Sequence, residues 1–505
     1  METTQLLGDV VHTMHTINDI TAASSILNWD QETYMPEGAA ETRAEQISTL
    51  ETLAHQFLTG DSSKKLADRI TSLNGYATSE PLFRLFIEDF ERASKLPEEL
   101  VRRTSRAQAL AQDIWKHARA EKNYAKFQPI LAELIDLKIE AAERYGYAEN
   151  RYDALLNLFE PGMTVAQLNP VFENLRTATA EILSAIEPNL SRVSDAPMLQ
   201  HYPKQKQMEF SRYISEKMGF NFNNGRLDLS THPFCTSFSQ YDVRLTTRIN
   251  ENDLHSCLYG VIHETGHGLY EQGFATKYAR TFAADGASIG MHESQSLLWE
   301  TIITRTEEFW SFALPKFKEI FGESVARYST RDFYKAVNTI QPSLIRTEAD
   351  EVTYNMHIIL RYELEREMIN QTIDLKDIPE IWNEKMRQNL GQVPKHDGEG
   401  CLQDIHWSFG GFGYFPGYTL GKLYAAMEWN ILQQQMPDVR SKIANGDLLP
   451  IREWLRENIH QYGRSQKPAE IIKRITGKSL TETDFVEYAK AKANDVYEIG
   501  TLPIL

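Results

Sequence analysis

The chain has 505 residues, 42% of them hydrophobic, and its 53 Lys and Arg against 70 Asp and Glu give a formal net charge of −17. That negative charge argues against a nucleic-acid partner, because neutralising phosphates requires clustered Lys and Arg, and the absence of about 18 consecutive apolar residues argues against a membrane partner. The first twenty residues lack the pattern of a signal peptide and the three cysteines have no paired spacing, so we expect free thiols and a cytoplasmic protein.

The chain is predicted to be one mainly α-helical body. No Pro-, Gly- or Ser-rich linker interrupts it, so we expect a single domain over 1–505, with subdomains around a cleft. Strand-like alternation is concentrated near 225–249, which predicts a small β-structure. Apolar residues recur at helical spacing in 40–58, 98–121, 125–145, 165–185, 352–371, 421–434 and 468–475.

The run from Asp242 to Ile249 predicts a half-buried strand. Val243, Leu245 and Ile249 fall on one face, and the polar residues, Arg244 among them, fall on the other. Such a strand could hold an extended peptide by main-chain hydrogen bonds. It could equally be a plain edge strand with a solvated face, and the pattern does not separate the two.

The next helical run contains His263-Glu264-Thr265-Gly266-His267, an HExxH sequence. Positions i and i+4 share one face of a helix, so both imidazoles can bind one zinc ion. Glu264 would then act as general base on a metal-bound water, which makes peptide hydrolysis the first hypothesis.

Local signals around this motif support a real helix. Asn252 or Asp253 is expected to cap its start, and Gly273 to end it. Gly266 and Gly268 cost helix stability, about 1 kcal/mol each relative to Ala. We expect them to leave room for the metal and the substrate.

A catalytic zinc needs a third protein ligand. The metzincin spacing is excluded, because positions 270 and 273 hold Tyr270 and Gly273. The following helical run, about 287–310, offers Glu293, which lies 26 residues beyond His267 and is the predicted third ligand. His292 is expected at the surface or as a support for the ligands, and Glu300 is expected to face solvent rather than to orient a ligand.

In a chain of this charge, a substrate's terminal carboxylate would need a local cation. Arg346 is the candidate, because a guanidinium can hold a carboxylate through two parallel hydrogen bonds. The alternative is an internal ion pair of Arg346 with Glu348 or Asp350. Arg244 is a weaker substrate-binding candidate.

The Gly- and aromatic-rich segment 408–418 follows His406-Trp407 and fits no phosphate-binding pattern. We expect a mobile substrate loop. His406 and Tyr414 are the candidates for stabilising the tetrahedral oxyanion of hydrolysis, with Tyr418 as an alternative. The other interpretation is that these aromatic side chains close a hydrophobic patch.

Six motifs in order resemble those of the carboxypeptidase Taq family of zinc metallocarboxypeptidases. They are His232-Pro233-Phe234, Asp242 to Thr246, His263 to His267, His292 to Gln295, Ile345 to Asp350, and Gly400 to Trp407. Segments 29–36 and 159–164 are also similar to that family. In the family, the arginine corresponding to Arg346 is associated with substrate recognition.

The resemblance implies removal of single C-terminal residues from peptides that have a free C-terminus. It also implies a large helical zincin-type fold with a deep groove, similar to neurolysin and angiotensin-converting enzyme, with an N-terminal helical lid (about 1–120) and a catalytic core (about 200–430). One Zn²⁺ per subunit, replaceable by Co²⁺, and a homodimer are expected. The alternatives are an endo- or dipeptidyl-type zinc oligopeptidase and, less favoured, a non-catalytic helical scaffold.

Overall fold

The predicted helical architecture is confirmed in the computed structural model, which describes residues 2–73, 80–500 and 502. The α-helices of these residues are α1 (Glu2–Thr33), α2 (Ala40–Thr59), α3 (Asp61–Thr71), α4 (Pro81–Ser94), α5 (Glu98–Ala120), α6 (Gln128–Tyr145), α7 (Arg151–Leu156), α8 (Val165–Ile186), α9 (Lys204–Met218), α10 (Leu254–Gly273), α11 (Ile289–Leu297), α12 (Glu307–Phe321), α13 (Glu323–Ala326), α14 (Thr330–Val337), α15 (Tyr354–Ile369), α16 (Ile378–Leu390), α17 (Pro416–Gln435), α18 (Val439–Ala444), α19 (Leu449–Asn458), α20 (Pro468–Thr476) and α21 (Thr483–Tyr497). A π-helical turn, Leu298–Ile303, follows α11 directly.

A small sheet lies beside α10. Its strands are β1 (Gly225–Leu229), β2 (Cys235–Ser239) and β3 (Asp242–Thr247), in the order β1-β3-β2. β3 pairs in parallel with β1 and antiparallel with β2. The strand at 242–249 was expected either to hold an extended peptide or to be a plain edge strand. Both interpretations are wrong, because β3 is hydrogen-bonded to a neighbouring strand on each side. The strand edge that could accept a peptide on the α1 side is that of β2.

The ends of α10 agree with the local signals. The Asp253 side chain accepts a hydrogen bond from the backbone N–H of His255, so Asp253 is the N-cap, and the helix ends at Gly273. The buried stripe of α10, which includes Leu258 and Ile262, packs into the main hydrophobic core.

The glycines of α10 serve helix packing, which corrects the expectation that they make room for metal and substrate. A Cβ at Gly266 would lie 2.5 Å from the backbone oxygen of Gln295, so α11 can approach α10 only because no side chain is there. A Cβ at Gly268 would lie 2.7 Å from the ring of Phe220. The close approach at Gly266 brings the third-ligand segment against the HExxH helix.

A second, smaller core lies between α1, α3 and α4 and includes Val10, Ile70 and Phe86. The lid over about 1–120 stays a prediction. Across the described ranges no helix combines the length and apolarity needed to cross a membrane. Cys235, Cys257 and Cys401 are free thiols, as predicted.

Candidate active site

The structure brings His263, His267 and Glu293 together between α10 and α11. The two Nε2 atoms lie 3.1 Å apart, and a Glu293 carboxylate oxygen lies 3.9 Å from the first and 3.6 Å from the second. Metal–ligand bonds of about 2.0–2.1 Å in a tetrahedral arrangement separate neighbouring ligand atoms by about 3.3 Å. This donor set therefore fits a small divalent cation such as zinc.

Glu300 supports His263, which corrects the expectation that it faces solvent. Its carboxylate contacts His263 Nδ1 at 2.9 Å and accepts a hydrogen bond from Arg305 Nη2 at 2.8 Å. A proton on Nδ1 leaves the Nε2 lone pair for a metal. Burial raises the pKa of Glu300, but the hydrogen bond from His263 and the charge of Arg305 outweigh it and lower the pKa to about 2.

A second chain of contacts supports His267. Its Nδ1 lies 3.0 Å from the carbonyl oxygen of His292, and the His292 ring contacts the Glu271 carboxylate through Nε2 at 2.7 Å. Ser237 of β2 donates to the same carboxylate at 2.5 Å. His292 thus orients a predicted metal ligand, in agreement with its expected supporting role.

Glu264 lies one residue from the predicted ligand His263 and is buried. Burial raises its pKa to about 7, although the nearby positive charge of His263 opposes the shift. Before a metal binds, burial opposes a charge on His263, yet the Glu293 and Glu300 carboxylates raise its pKa, so metal binding must displace a proton from this imidazole. A carboxylate whose pKa is raised by burial accepts a proton more readily than a free glutamate does, which suits a general base.

Arg346 is buried and pairs with Asp404, not with Glu348 or Asp350. Its Nε donates to Asp404 at 3.0 Å, and its Nη1 donates to the Tyr354 hydroxyl at 2.6 Å. Asp350 instead caps its own turn by accepting from the backbone and hydroxyl of Thr353. The partners suggested for Arg346 from the sequence are wrong, but an internal ion pair is present, with Asp404.

Asp404 is shared between two arginines. Arg361 Nε donates to the second oxygen of Asp404 at 2.6 Å. Burial raises the pKa of Asp404, but the charges of Arg361 and Arg346 outweigh burial and hold that pKa well below its usual range. Two guanidinium groups against one carboxylate leave this cluster with one net positive charge. That charge is suited to binding a substrate carboxylate.

His406, Tyr414 and Tyr418 form an aromatic group next to this cluster. His406 Nε2 lies 3.3 Å from the Tyr418 hydroxyl, and the ring centres of His406 and Tyr414 lie 5.4 Å apart. Burial lowers the His406 pKa to about 3, so the imidazole is neutral near pH 7. The segment 408–415 folds as largely buried turns, and 416–418 begin α17.

Helix α17 runs past both the metal-ligand group and the arginine cluster. The ring centre of Tyr418 lies 5.1 Å from the Arg346 guanidinium, and a Cβ at Gly421, one turn further on, would lie 2.7 Å from the Glu293 side chain. After burial, the Glu293 carboxylate is the largest cause of the raised pKa of Tyr414. Burial, with a contribution from the same carboxylate, also raises the pKa of Tyr354 to about 12. The Tyr354 hydroxyl accepts a hydrogen bond from Arg346. Through α17 and these tyrosines, the Arg346 cluster is connected to the Glu293 carboxylate.

Arg244 lies beside α1. It pairs with Asp242 at 2.9 Å, and its guanidinium lies 4.2 Å from the ring centre of Trp29. Trp29 also lines a cavity of about 370 Å³ between α1 and β2. The other residues that line this cavity are Ser25, Asn28, Glu32, Phe234, Cys235 and Thr236.

Sequence reasoning missed Glu271, Arg305, Asp404 and Arg361. Asp404 had a signal, because it lies two residues before His406 in the same motif. Arg305 lies five residues after Glu300, a spacing that a π-helical turn brings onto one face, whereas the partners of Glu271 and Arg361 lie 21 and 43 residues away.

Comparisons with a family model, curated proteins and solved structures give matches over nearly the whole chain. A family model described as carboxypeptidase Taq (M32) metallopeptidase matches residues 9–493. Carboxypeptidase 1 of Bacillus subtilis is 36% identical over 485 residues, covering 95% of this chain and 96% of that protein. Thermostable carboxypeptidase 1 of Pyrococcus furiosus is 37% identical over 475 residues, covering 93% and 95%. The M32 carboxypeptidase structure from Deinococcus radiodurans R1 has a TM-score of 0.95 at 34% identity, covering 98% of this chain and 100% of that chain.

Proposed function

Because the chain belongs to the carboxypeptidase Taq (M32) family of metallopeptidases, as its motifs predicted, we propose that it removes single C-terminal residues from peptides with zinc as its metal. The observation that carries the proposal is the meeting of two sites. The donor atoms of His263, His267 and Glu293 lie within 4.8 Å of one another, and α17 links them, through Gly421 and Tyr418, to the cluster around Arg346.

Zinc bound by these three residues would lower the pKa of its water towards about 7. Glu264 accepts a proton from the attacking water and returns it to the leaving amine. Burial raises the pKa of Glu264, which strengthens it as a proton acceptor. Glu300 and His292 keep the two imidazoles oriented throughout.

His406 and Tyr414 donate hydrogen bonds to the oxyanion that forms on the scissile carbonyl, with Tyr418 as the alternative donor. A neutral imidazole and a phenol each carry one such donor. The low pKa of His406 supports this role, because a neutral ring can lie beside two arginines without charge repulsion.

Arg346 fixes the register by binding the free terminal carboxylate. Asp404 and Tyr354 orient the guanidinium before substrate arrives, so little side-chain entropy is lost on binding. The cavity between α1 and β2 receives upstream residues of the peptide, with Arg244 as a second binding residue beside it. This arrangement supports an exopeptidase over an oligopeptidase that does not depend on a terminal charge.

The family resemblance also supports a homodimer with one metal per subunit. A donor set of two His and one Glu accepts Co²⁺ as well as Zn²⁺, and the free thiols support a cytoplasmic location. Light scattering after size-exclusion chromatography measures the mass directly. Elemental analysis of the purified protein identifies the metal and its stoichiometry.

The test of the proposed activity uses one free-acid peptide of about ten residues, followed in time by mass spectrometry. We expect a ladder that shortens by one residue at a time, that stops with a chelator, and that resumes with added zinc or cobalt. Internal fragments formed before the first terminal residue is released would favour the oligopeptidase. No metal-dependent product at all would favour the scaffold.

A further inference from the structure

Glu365 of α15 has no part in the chemistry proposed above, yet it bonds to both ends of the segment between His406 and Tyr414. Its Oε1 accepts a hydrogen bond from Trp407 Nε1 at 3.0 Å, and its Oε2 accepts one from the backbone N–H of Gly413 at 3.0 Å. Trp407 follows His406 directly and Gly413 precedes Tyr414 directly. One carboxylate therefore holds the flanking residues of both proposed oxyanion donors.

A third donor reaches Glu365 from α7. The Tyr152 hydroxyl of α7 donates to Oε2 at 2.8 Å, and Tyr152 and Glu365 are both fully buried. Burial of a carboxyl group is unfavourable and raises the Glu365 pKa to about 7, although these three donors oppose the shift. Of the side chains of this size, only a carboxylate accepts on both oxygens and presents no donor of its own.

The same face of α15 anchors the rest of the substrate-binding group. Tyr354, Arg361 and Glu365 are spaced at i, i+7 and i+11, which places them on one helical face. Tyr354 bonds to Arg346, and Arg361 bonds to Asp404. Glu365 continues this series towards the oxyanion donors.

Gly413 shows how closely the segment is held. Its φ is +95°, and a Cβ at this position would lie 2.7 Å from the backbone carbon of Leu155 in α7. The Gly413 N–H can reach Glu365 because the backbone here passes directly over α7.

We propose that Glu365 is a positioning residue for hydrolysis, whose carboxylate fixes His406 and Tyr414 where the oxyanion forms. The inference rests on the proposed function and adds a residue that touches neither metal nor substrate. Displacement of catalytic groups by about 1 Å can lower turnover by about 100-fold, so the effect of replacing a positioning residue is large enough to measure.

Glu365→Gln tests the proposal with almost no change of shape. Glutamine has one acceptor oxygen, so its amide NH2 must face either Trp407 Nε1–H or Gly413 N–H, and one end of the segment loses its bond. We expect kcat to fall by about 10- to 100-fold with KM changed by less than about threefold, because the oxyanion exists only in the transition state. Metal content should equal that of the wild type.

Tyr152→Phe is the matched control. It removes a hydrogen bond to the same carboxylate from the α7 side and leaves both bonds to the 407–413 segment. It should lower the melting temperature and leave kcat within about threefold of the wild type. Hydrogen exchange followed by mass spectrometry should show faster exchange in peptides covering 406–414 for Glu365→Gln and unchanged exchange there for Tyr152→Phe.

Equal kcat in Glu365→Gln and the wild type, or equal losses of kcat in Glu365→Gln and Tyr152→Phe, would overturn the proposal. If Glu365→Gln does not fold, Trp407→Phe offers a second test, because it removes the indole donor that bonds to Glu365 Oε1. This variant should have a lower kcat and faster amide hydrogen exchange in residues 406–414. A wild-type kcat in that variant would likewise contradict the inference. Failure of the proposed function is distinct, because then the wild type itself would not trim a free-acid peptide.

Discussion

Replacing Glu300 by Gln should weaken metal binding without removing a metal ligand. The carboxylate bonds to His263 Nδ1 at 2.9 Å and to Arg305 Nη2 at 2.8 Å, and the amide of a glutamine must turn its NH2 towards one of these two donors. A charge-assisted hydrogen bond is worth about 1.5–3 kcal/mol. The loss corresponds to a decrease in zinc affinity of about 10- to 150-fold.

The assay is a zinc titration of the metal-depleted protein in competition with a chromophoric chelator. Glu319→Gln is the control, because Glu319 is an exposed residue that pairs only with surface Lys316 among its described contacts. The control should bind zinc as tightly as the wild type. An unchanged zinc affinity in Glu300→Gln, or equal losses in both variants, would refute the reasoning that Glu300 orients His263.

Three further predictions address the base, the oxyanion and the response to pH. Glu264→Gln should keep stoichiometric metal and lose several orders of magnitude in turnover, whereas Glu293→Ala should lose the metal as well; elemental analysis combined with a peptidase assay separates them. His406→Phe should lower kcat by about 100-fold with a modest change in KM, and a change confined to KM would place His406 in ground-state binding. Glu160 is buried, and burial raises its pKa to about 7 from the ordinary 4.5, so its contribution to stability is complete below pH 4.5 and is lost as pH rises through 7. Between pH 5 and 8, the free energy of unfolding measured in urea should fall by up to about 3 kcal/mol more for the wild type than for Glu160→Gln. The same dependence of that free energy on pH in both proteins would contradict this.

The parts of the site that the sequence predicted are those governed by local geometry. His263 and His267 share a face because a helix repeats every 3.6 residues, and Asp253 caps that helix through a contact two residues away. The segment carrying Glu293 was located by its helical pattern. These features depend on neighbours in the chain, which the sequence displays directly.

The parts that could not be predicted depend on burial by distant elements. Glu300 was expected to face solvent, but its side chain is only 17% exposed, and Leu298, Trp299 and Ile302 around it are buried. The turn is also π-helical, which changes the angular spacing that a 3.6-residue period assumes. The ion pair between Arg346 and Asp404 joins residues 58 positions apart, and nothing in their spacing indicates it.

The glycines of α10 illustrate the same limit. The sequence shows that Gly266 and Gly268 weaken the helix, but not which neighbour needs the space. The structure shows α11 and Phe220 in that space. Likewise, the alternation in 242–249 predicts a strand, whereas its central position in the sheet depends on β1 and β2.

The central claim is that Arg346 binds a free terminal carboxylate, so the most direct measurement compares two peptides of identical sequence, one with a free C-terminal acid and one amidated. The wild type should produce a one-residue ladder from the acid and no product from the amide. Arg346→Ala should lose about 2–5 kcal/mol of transition-state binding on the acid, or about 30- to several-thousand-fold in kcat/KM. Equal cutting of both peptides by the wild type would contradict the account.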